Sequence, residues 1–418
     1  MKHPLRLVIY GINYRPELVG VAKYTAEMCE WLAARGHDVR VITAPPHYPE
    51  WRVGEGYRAS RYRRENLGGV SALHCPMWLP KAYTPFKRIV SVISFALSSF
   101  FPLLRACLSR PDWLMVIEPS FFSVPGAWLA SRLTRVPLWL HVQDFELGAA
   151  GNLGLVRGTR LLRIAAAVEA WFLRRPEHVS TLSAPMLYRL AEAGVPKERR
   201  GLFPNWVDCE QIRPLPHPSP LRAELGIDAD RVVLLYSGSF GRKHGLEVIV
   251  EAARRLQADR RFCFVLCGEG SEHRRLRQLA DGVDNIVWLP LQPLERLNDL
   301  LNLADVHLLP QLSSVSTQVL PSKLLGMMAS GRPVITTARP GSPVAETVSN
   351  CGALVPPDDP DALANAIVRM CESPGLIAQM SAHARAYAET HSDHDRILRA
   401  FERRLLETAA TAGATESS

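Results

Sequence analysis

The chain is expected to fold as α/β, with two doubly wound domains of parallel sheet facing each other across a cleft. Three observations carry this. At 418 residues it is too long for one hydrophobic core and fits two domains of roughly 200 residues each. Short apolar runs rich in β-branched residues alternate with amphipathic helical stretches, the pattern of a parallel sheet covered on both faces. The alternation also occurs twice, on either side of a proline-dense stretch, FPNWVDCEQIRPLPHPSP, which reads as a linker. The expected division is a first domain over 1–208, a second over 209–388, a helix over 389–408 packing back toward the first domain, and a disordered tail over 409–418.

Taken in order, LRLVIYGINY is a buried strand that ends in a glycine turn. TAEMCEWLAARGHD is an amphipathic helix stopped by Gly36, and VRVITAPP is the second strand. WLMVIEPS and VPLWLHVQD are further strands, separated by the helical VPGAWLASRLTR. In the second half VVLLYSGSFG runs from a strand into a glycine loop, LEVIVEAARRLQ is a helix, and FCFVLCGEGS is a strand into another glycine loop. NIVWLP, DVHLLPQ and RPVITT supply more strands, with LERLNDLLNLA and SKLLGMMAS as helices. In open parallel sheets ligands sit beyond the carboxyl ends of the strands, so the chemistry is expected in the loops that follow them.

Hydrophobic content of 47% and charged content of 22% are those of a globular protein. The opening MKHPLRLVIYGINY has neither the longer apolar region nor the cleavage site of a signal peptide, so a cytoplasmic protein is expected. The eight cysteines are scattered with no CxxC pair, which predicts free buried thiols rather than zinc or disulfides. Residues 1–208 hold 27 Lys and Arg against 16 Asp and Glu, a net +11, whereas 209–418 hold 22 against 25, a net −3. A negatively charged partner therefore meets the first half. No aromatic–basic interleaving or recognition module is visible, so nucleic acid is not that partner. The run IVSVISFALSSFFPLL, Ile89 to Leu104, is short of the ~20 residues that span a bilayer. Lys87, Arg88 and Arg105 flank it, and arginines 157, 160, 163, 174 and 175 follow in another helical stretch. A helix lying on an anionic membrane surface is expected, against the alternative of a buried core helix.

Five stretches in this order, spanning nearly the whole chain, resemble a known family. They are GINYRPELVGVAKYTAEMCEWLAARGHDVRVITAPPHYPEW, LHVQDFEL, PNWVD, YSGSFGRKHGLEVIVEAA and LPSKLLGMMASGRPVI. The chain is similar to the family 4 glycosyltransferases of GT-B architecture, two Rossmann-like domains. The resemblance implies a retaining enzyme whose second domain binds a nucleoside diphosphate sugar as donor and whose first domain binds the acceptor. The donor is a substrate; the resemblance implies no cofactor and no metal.

Several residues follow as candidates. The loop SGSFGRKHG places Ser237, Gly238 and Gly241 beside Arg242 and Lys243, between a strand and a helix. Backbone N–H groups and fixed cations there suit a diphosphate and its departure as a leaving group. The resemblance puts an Arg and a Lys where this chain has Ser239 and His244, so Arg242 and Lys243 take over that role. In QVLPSKLLGMMASG, Lys323 opens a helix, where a cation opposes the helix dipole unless an anion is bound. The family's glutamate pair falls here at Gln318 and Gly326, which implies altered ribose recognition. Gln318 can still hydrogen-bond a sugar, and backbone amides around Val319 and Leu320 can join Lys323 at the phosphates. Gly268 and Gly270 close another strand and are donor candidates, as is Glu346 in PVAETV, where a helix-cap role is the alternative. In the first half, Gly20 matches a glycine at which relatives bring backbone to the donor phosphate. His141 and Asp144 end the strand VPLWLHVQD and are catalytic candidates, with a satisfied core histidine as the alternative for His141. Tyr14, Glu17 and His47, in the first two strand–helix loops, are acceptor candidates.

The expected activity is transfer of a sugar from a GDP- or UDP-sugar to a lipid-linked oligosaccharide acceptor in exopolysaccharide or cell-surface polysaccharide biosynthesis. The enzyme is expected to sit peripherally on the inner face of the cytoplasmic membrane. A sugar-nucleotide 2-epimerase and a catalytically silent partner subunit are the alternatives.

Overall fold

The computed structural model describes residues 4–17, 20–48, 51–80, 82, 84–145, 159–313 and 320–416. The chain forms two compact units, one of Met1–Pro204 with Leu398–Ser418 and one of Asn205–Ile397.

The first unit is an eight-stranded sheet. Its strands are β1 (Arg6–Gly11), β2 (Asp38–Thr43), β3 (Arg63–Leu67), β4 (Val70–His74), β5 (Trp113–Ile117), β6 (Leu138–Val142), β7 (His178–Thr181) and β8 (Arg200–Leu202), in the order β3-β4-β2-β1-β5-β6-β7-β8. All neighbours pair in parallel except β3, which runs antiparallel to β4 at the edge. The inner strands are buried along their length, as a parallel sheet covered on both faces requires. Its helices include α1 (Val21–Ala34), α2 (Pro85–Leu108), α3 (Ser123–Thr134) and α4 (Thr159–Leu173).

Helix α2 is 24 residues long and outruns the apolar run read from the sequence at both ends. Thr84 caps it through Lys87 N–H, and Pro85 sits in the first turn, where its missing N–H is harmless. It carries apolar residues on both faces, burying Val92, Phe95, Leu103 and Cys107. Ser91 and Ser99 face inward and are fully buried, with Ser99 Oγ 2.7 Å from Tyr10 OH. Phe86, Leu97, Phe101 and Leu108 face outward, 74%, 70%, 74% and 68% exposed.

The second unit is a six-stranded parallel sheet in the order β11-β10-β9-β12-β13-β14. The strands are β9 (Val232–Ser237), β10 (Phe262–Cys267), β11 (Ile286–Leu289), β12 (Val306–Leu309), β13 (Val334–Thr337) and β14 (Gly352–Val355). Helix α5 (Ser322–Ala329) buries Leu324, Leu325, Met327 and Met328 in a core with Val334 and Val344.

The boundary falls after Pro204 rather than after residue 208. Val207 is already bound to the second unit, its N–H donating to Ser392 O at 2.8 Å. Nor is the proline-rich stretch a loose spacer, since Arg385 donates to the Cys209 and Ile212 carbonyls. The last helix, α6 (His394–Glu416), returns to the first unit from Leu398 onward. Phe401 stacks on Phe203 at 4.0 Å and packs against Trp139, Trp113 Nε1 donates to Leu405 O, and Glu402 meets Arg35 and His37 at 2.9 and 3.1 Å. Alanine-rich and free of helix breakers up to Gly413, α6 runs on to Glu416, past the point where the sequence reading ends it.

Candidate functional site

In the second unit the loops after β9 and β10 interlock. Gly238 N–H donates to Cys267 O, Phe240 N–H to Glu269 O, and Gly268 N–H to Leu289 O. The amide of Gly238, expected at a diphosphate, and that of Gly268, a donor candidate, are therefore taken up within the protein. What these glycines supply is space. A Cβ at Gly268 would fall on the Gly238 carbonyl, and one at Gly270 would lie 2.5 Å from Phe240 O. Gly268→Ala is expected to lower stability by about 1–3 kcal/mol, as other forced overpacking does; a urea melt equal to that of the native protein would contradict this packing role.

Lys323 sits over this junction. It is the second residue of α5, which has no side-chain cap and no acidic residue in its first turn. Its Nζ donates to Tyr236 OH at 2.9 Å and lies 4.4 Å from the Tyr236 ring centroid. Tyr236 OH donates in turn to Ser239 O at 2.8 Å. A Cβ at Gly238, whose φ is 135°, would come within 2.7 Å of the ammonium. Glycine is thus what lets the cation approach the loop backbone. Ser237 closes β9 opposite Cys267, and Gly241 precedes a single 3-10 turn over Arg242–His244 that ends in left-handed Gly245. Arg242 is exposed, with no side-chain partner among the described residues.

The remaining second-unit candidates divide. Leu320 is half-buried against the core around α5. Gly326 faces Leu301, 3.3 Å from where a Cβ would stand, so the position expected of a ribose-binding glutamate is a packing position here. Glu346 is exposed, and the cap of its helix, Pro343–Val348, is Ser342 through Ala345 N–H. Gln318, Val319 and the Lys243 side chain lie outside the described residues.

In the first unit the loops after β1 and β2 meet the first turn of α2 around a cavity of about 200 Å³. Gly20, Val21, His47, Tyr48, Trp51 and Arg88 are among its walls. Gly20 has φ 60° and opens α1, with no side-chain cap and no acidic residue in the first turn. Arg88 lies over the Trp51 ring at 4.9 Å, and His47 meets the same ring edge-on at 5.4 Å. Of the three acceptor candidates only His47 reaches this cavity. Glu17 is buried and shapes the wall instead, accepting from the N–H groups of His47 and Tyr48 at 2.7 and 2.8 Å and from Asn13 Nδ2 at 2.9 Å. Tyr14 is buried, and burial pushes its hydroxyl pKa up. Trp51 and Arg88 were missed as wall residues. Arg88, one of the cations flanking the apolar run, carried the only signal.

Asp144 is exposed at the end of β6, whereas His141 is a correction. It lies fully inside the sheet, its Nδ1 3.0 Å from Ser180 Oγ and its ring 5.0 Å from Phe203. It is the satisfied core histidine, and burial pushes its pKa down to about 3. Burial does the same to His307, about 3, and to His178, about 4. Between pH 6.5 and these values the unfolded chain binds protons that the folded chain refuses, so stability falls as pH falls. His141 and His307 should each remove up to about 1.4 kcal/mol per pH unit in that window. Urea melts at about pH 7 and about pH 5 check this, a flat stability across the window being the contrary result.

Residues 231–373 match the family described as glycosyl transferases group 1, and residues 19–206 match the glycosyl transferase 4-like domain. The colanic acid biosynthesis glycosyl transferase WcaI of Escherichia coli (strain K12) is 38% identical over 407 residues, 95% of this chain and 98% of that protein. Among solved structures, sucrose-phosphate synthase from Thermosynechococcus elongatus superposes with a TM-score of 0.75 at 20% identity, over 97% of this chain and 100% of that one. Anabaena HepE, in complex with UDP and glucose, superposes with a TM-score of 0.69 at 15% identity, over 96% and 99%.

Proposed function

The chain belongs to the group 1, family 4-like glycosyltransferases and has the GT-B fold, and on that premise we propose a retaining enzyme that moves a hexose-type sugar from a nucleoside diphosphate sugar to a lipid-linked acceptor. The product belongs to an exopolysaccharide of the colanic-acid kind, as the name of its Escherichia coli relative indicates. The observation that carries the donor assignment is the Lys323 ammonium, held by Tyr236 against the Gly238 backbone at the uncapped start of α5. A helix N-terminus and a fixed cation together are complementary to a diphosphate.

The chemistry follows from what these groups stabilise. As the bond from the anomeric carbon to the donor phosphate breaks, negative charge grows on the departing diphosphate. Lys323, with Arg242 and Lys243, holds that charge. In a retaining reaction the acceptor hydroxyl attacks the face that the phosphate leaves, and its proton passes to a phosphate oxygen. The cations do the work of a metal ion, and turnover is expected to persist in EDTA.

Supplying a panel of nucleotide sugars with membrane extract tests the reading, the expected result being donor-dependent labelling of a lipid fraction. A converted sugar nucleotide with donor alone would make it an epimerase instead. Failure to bind either UDP or GDP in calorimetry would make it a silent partner.

A further inference from the structure

We propose that a second cavity in the first unit, beside the start of β3, holds the phosphate of an anionic phospholipid headgroup. The proposal rests on the reading that this unit works at a membrane carrying the lipid-linked acceptor. The cavity has a volume of about 230 Å³ and is lined by Tyr57, Arg58, Arg61, Tyr62, Arg63 and His74 among others. That is below the roughly 300–1,000 Å³ of pockets for drug-sized ligands, so it suits a headgroup and not a nucleotide sugar.

Its charges are unevenly committed. Glu65 is already engaged by Tyr57 OH at 2.6 Å, by His74 Nε2 at 2.7 Å and by Arg63 at 3.2 Å. Arg63 also donates to Gly56 O at 2.6 Å and stacks on the Tyr57 ring at 4.3 Å. Arg58 and Arg61 have no ion pair or side-chain hydrogen bond among the described residues. Two uncommitted guanidinium groups in a concavity, with the nearby carboxylate satisfied, leave positive charge that phosphate oxygens match in geometry as well as sign.

The link to lipid is Tyr62. Its hydroxyl donates to Ser98 O of α2 at 2.8 Å, next to Leu97 and one turn from Phe101 on the exposed apolar face. A ligand with phosphate at one end and acyl chains at the other meets both features; free phosphate meets only the first. None of these residues belongs to the Lys323 site or to the cavity at Arg88.

The test compares Arg58→Gln/Arg61→Gln with a control that removes the same charge from the end of α4, Arg174→Gln/Arg175→Gln. All four arginines are exposed; the control gives up the Arg174 bond to Ala170 O and the Arg175 contact with the Trp171 ring, so melting temperatures are measured for both variants and binding is compared at a temperature where both are folded. Glycerol 3-phosphate in calorimetry reads the pocket, and sedimentation with phosphatidylglycerol vesicles reads the lipid. The native protein and the control should bind glycerol 3-phosphate at one saturable site, with the first variant weaker by about tenfold or more, the loss of one or two charge-assisted hydrogen bonds. The first variant should also lose more vesicle binding than the control. Equal losses in the two variants, or no saturable binding, would reduce the cavity to part of a general charge and overturn the proposal. Saturable binding without recovery on anionic vesicles would make it a soluble-phosphate site and overturn the lipid assignment. Recovery of the native protein tests the membrane reading, while the contrast between variants tests the pocket, so the two failures are separable.

Discussion

Lys323→Ala should lower turnover by about 10²–10³-fold, the usual effect of removing one preorganised group that stabilises developing negative charge. The loss should fall mainly on kcat. Lys323 meets charge already present in the bound donor, but more of it once the diphosphate departs, and only that difference accelerates the reaction. Folding should survive, because the substitution removes a hydrogen bond to Tyr236, worth about 0.5–1.5 kcal/mol, and the contact with its ring, worth about 0.5–2 kcal/mol. Tyr236→Phe keeps the ring under the ammonium and removes only the hydroxyl that orients it, so its effect should be smaller and shared between kcat and KM. Arg242→Ala with Lys243→Ala should likewise depress turnover by orders of magnitude. Single-turnover kinetics and melting temperatures check all three, and unchanged turnover in Lys323→Ala would remove the donor site from α5.

The second large effect is expected at α2. Leu97→Ser with Phe101→Ser should release the protein from anionic vesicles, at least about tenfold in partitioning, without lowering its stability. Each side chain contributes about 1.5–3 kcal/mol when fully withdrawn from water and less when shallowly immersed. Both stand about 70% exposed or more, so the folded protein draws little on them, Phe101 through an edge contact with the Phe100 ring at 5.7 Å. Attachment should weaken with salt, since the surrounding cations act through a screened field. Equal recovery of the native protein on neutral and anionic lipid, insensitive to salt, would show that the apolar face serves something else.

The inner strands of both sheets, such as β1, β5, β6, β9 and β10, were legible because they are almost wholly buried; the short β7, β8 and β14 were not read. LRLVIYG, WLMVI and VVLLYS are apolar runs with no competing helical period, whereas the pairing of β1 with β5, more than a hundred residues on, is set only by the fold. The β3–β4 hairpin was not legible. RRENL is polar and edge-placed, and only pairing with Val70–His74 makes it a strand. Helix α2 was read as an apolar run ending at its charged neighbours, whereas Thr84 and Pro85 set its true start. The site divided along the same line. Lys323 was legible as a cation at the start of a helix, a local feature. His141 could not, since its partner Ser180 lies 39 residues away and comes alongside only through the β6–β7 pairing. Glu17 misled for the same reason: two amides from the loop after β2 use up its carboxylate.

The return of α6 to the first unit bears on how the protein is made. Phe401 and Leu405 complete a core whose other members, Trp113, Trp139 and Phe203, leave the ribosome about two hundred to three hundred residues earlier. Until residue 405 emerges, the first unit carries an open apolar seat, and the second unit finishes its own core before the first can close. Order of synthesis is therefore not order of completion, and a nascent chain stalled anywhere in the second unit exposes aromatic surface of the kind that chaperones shield.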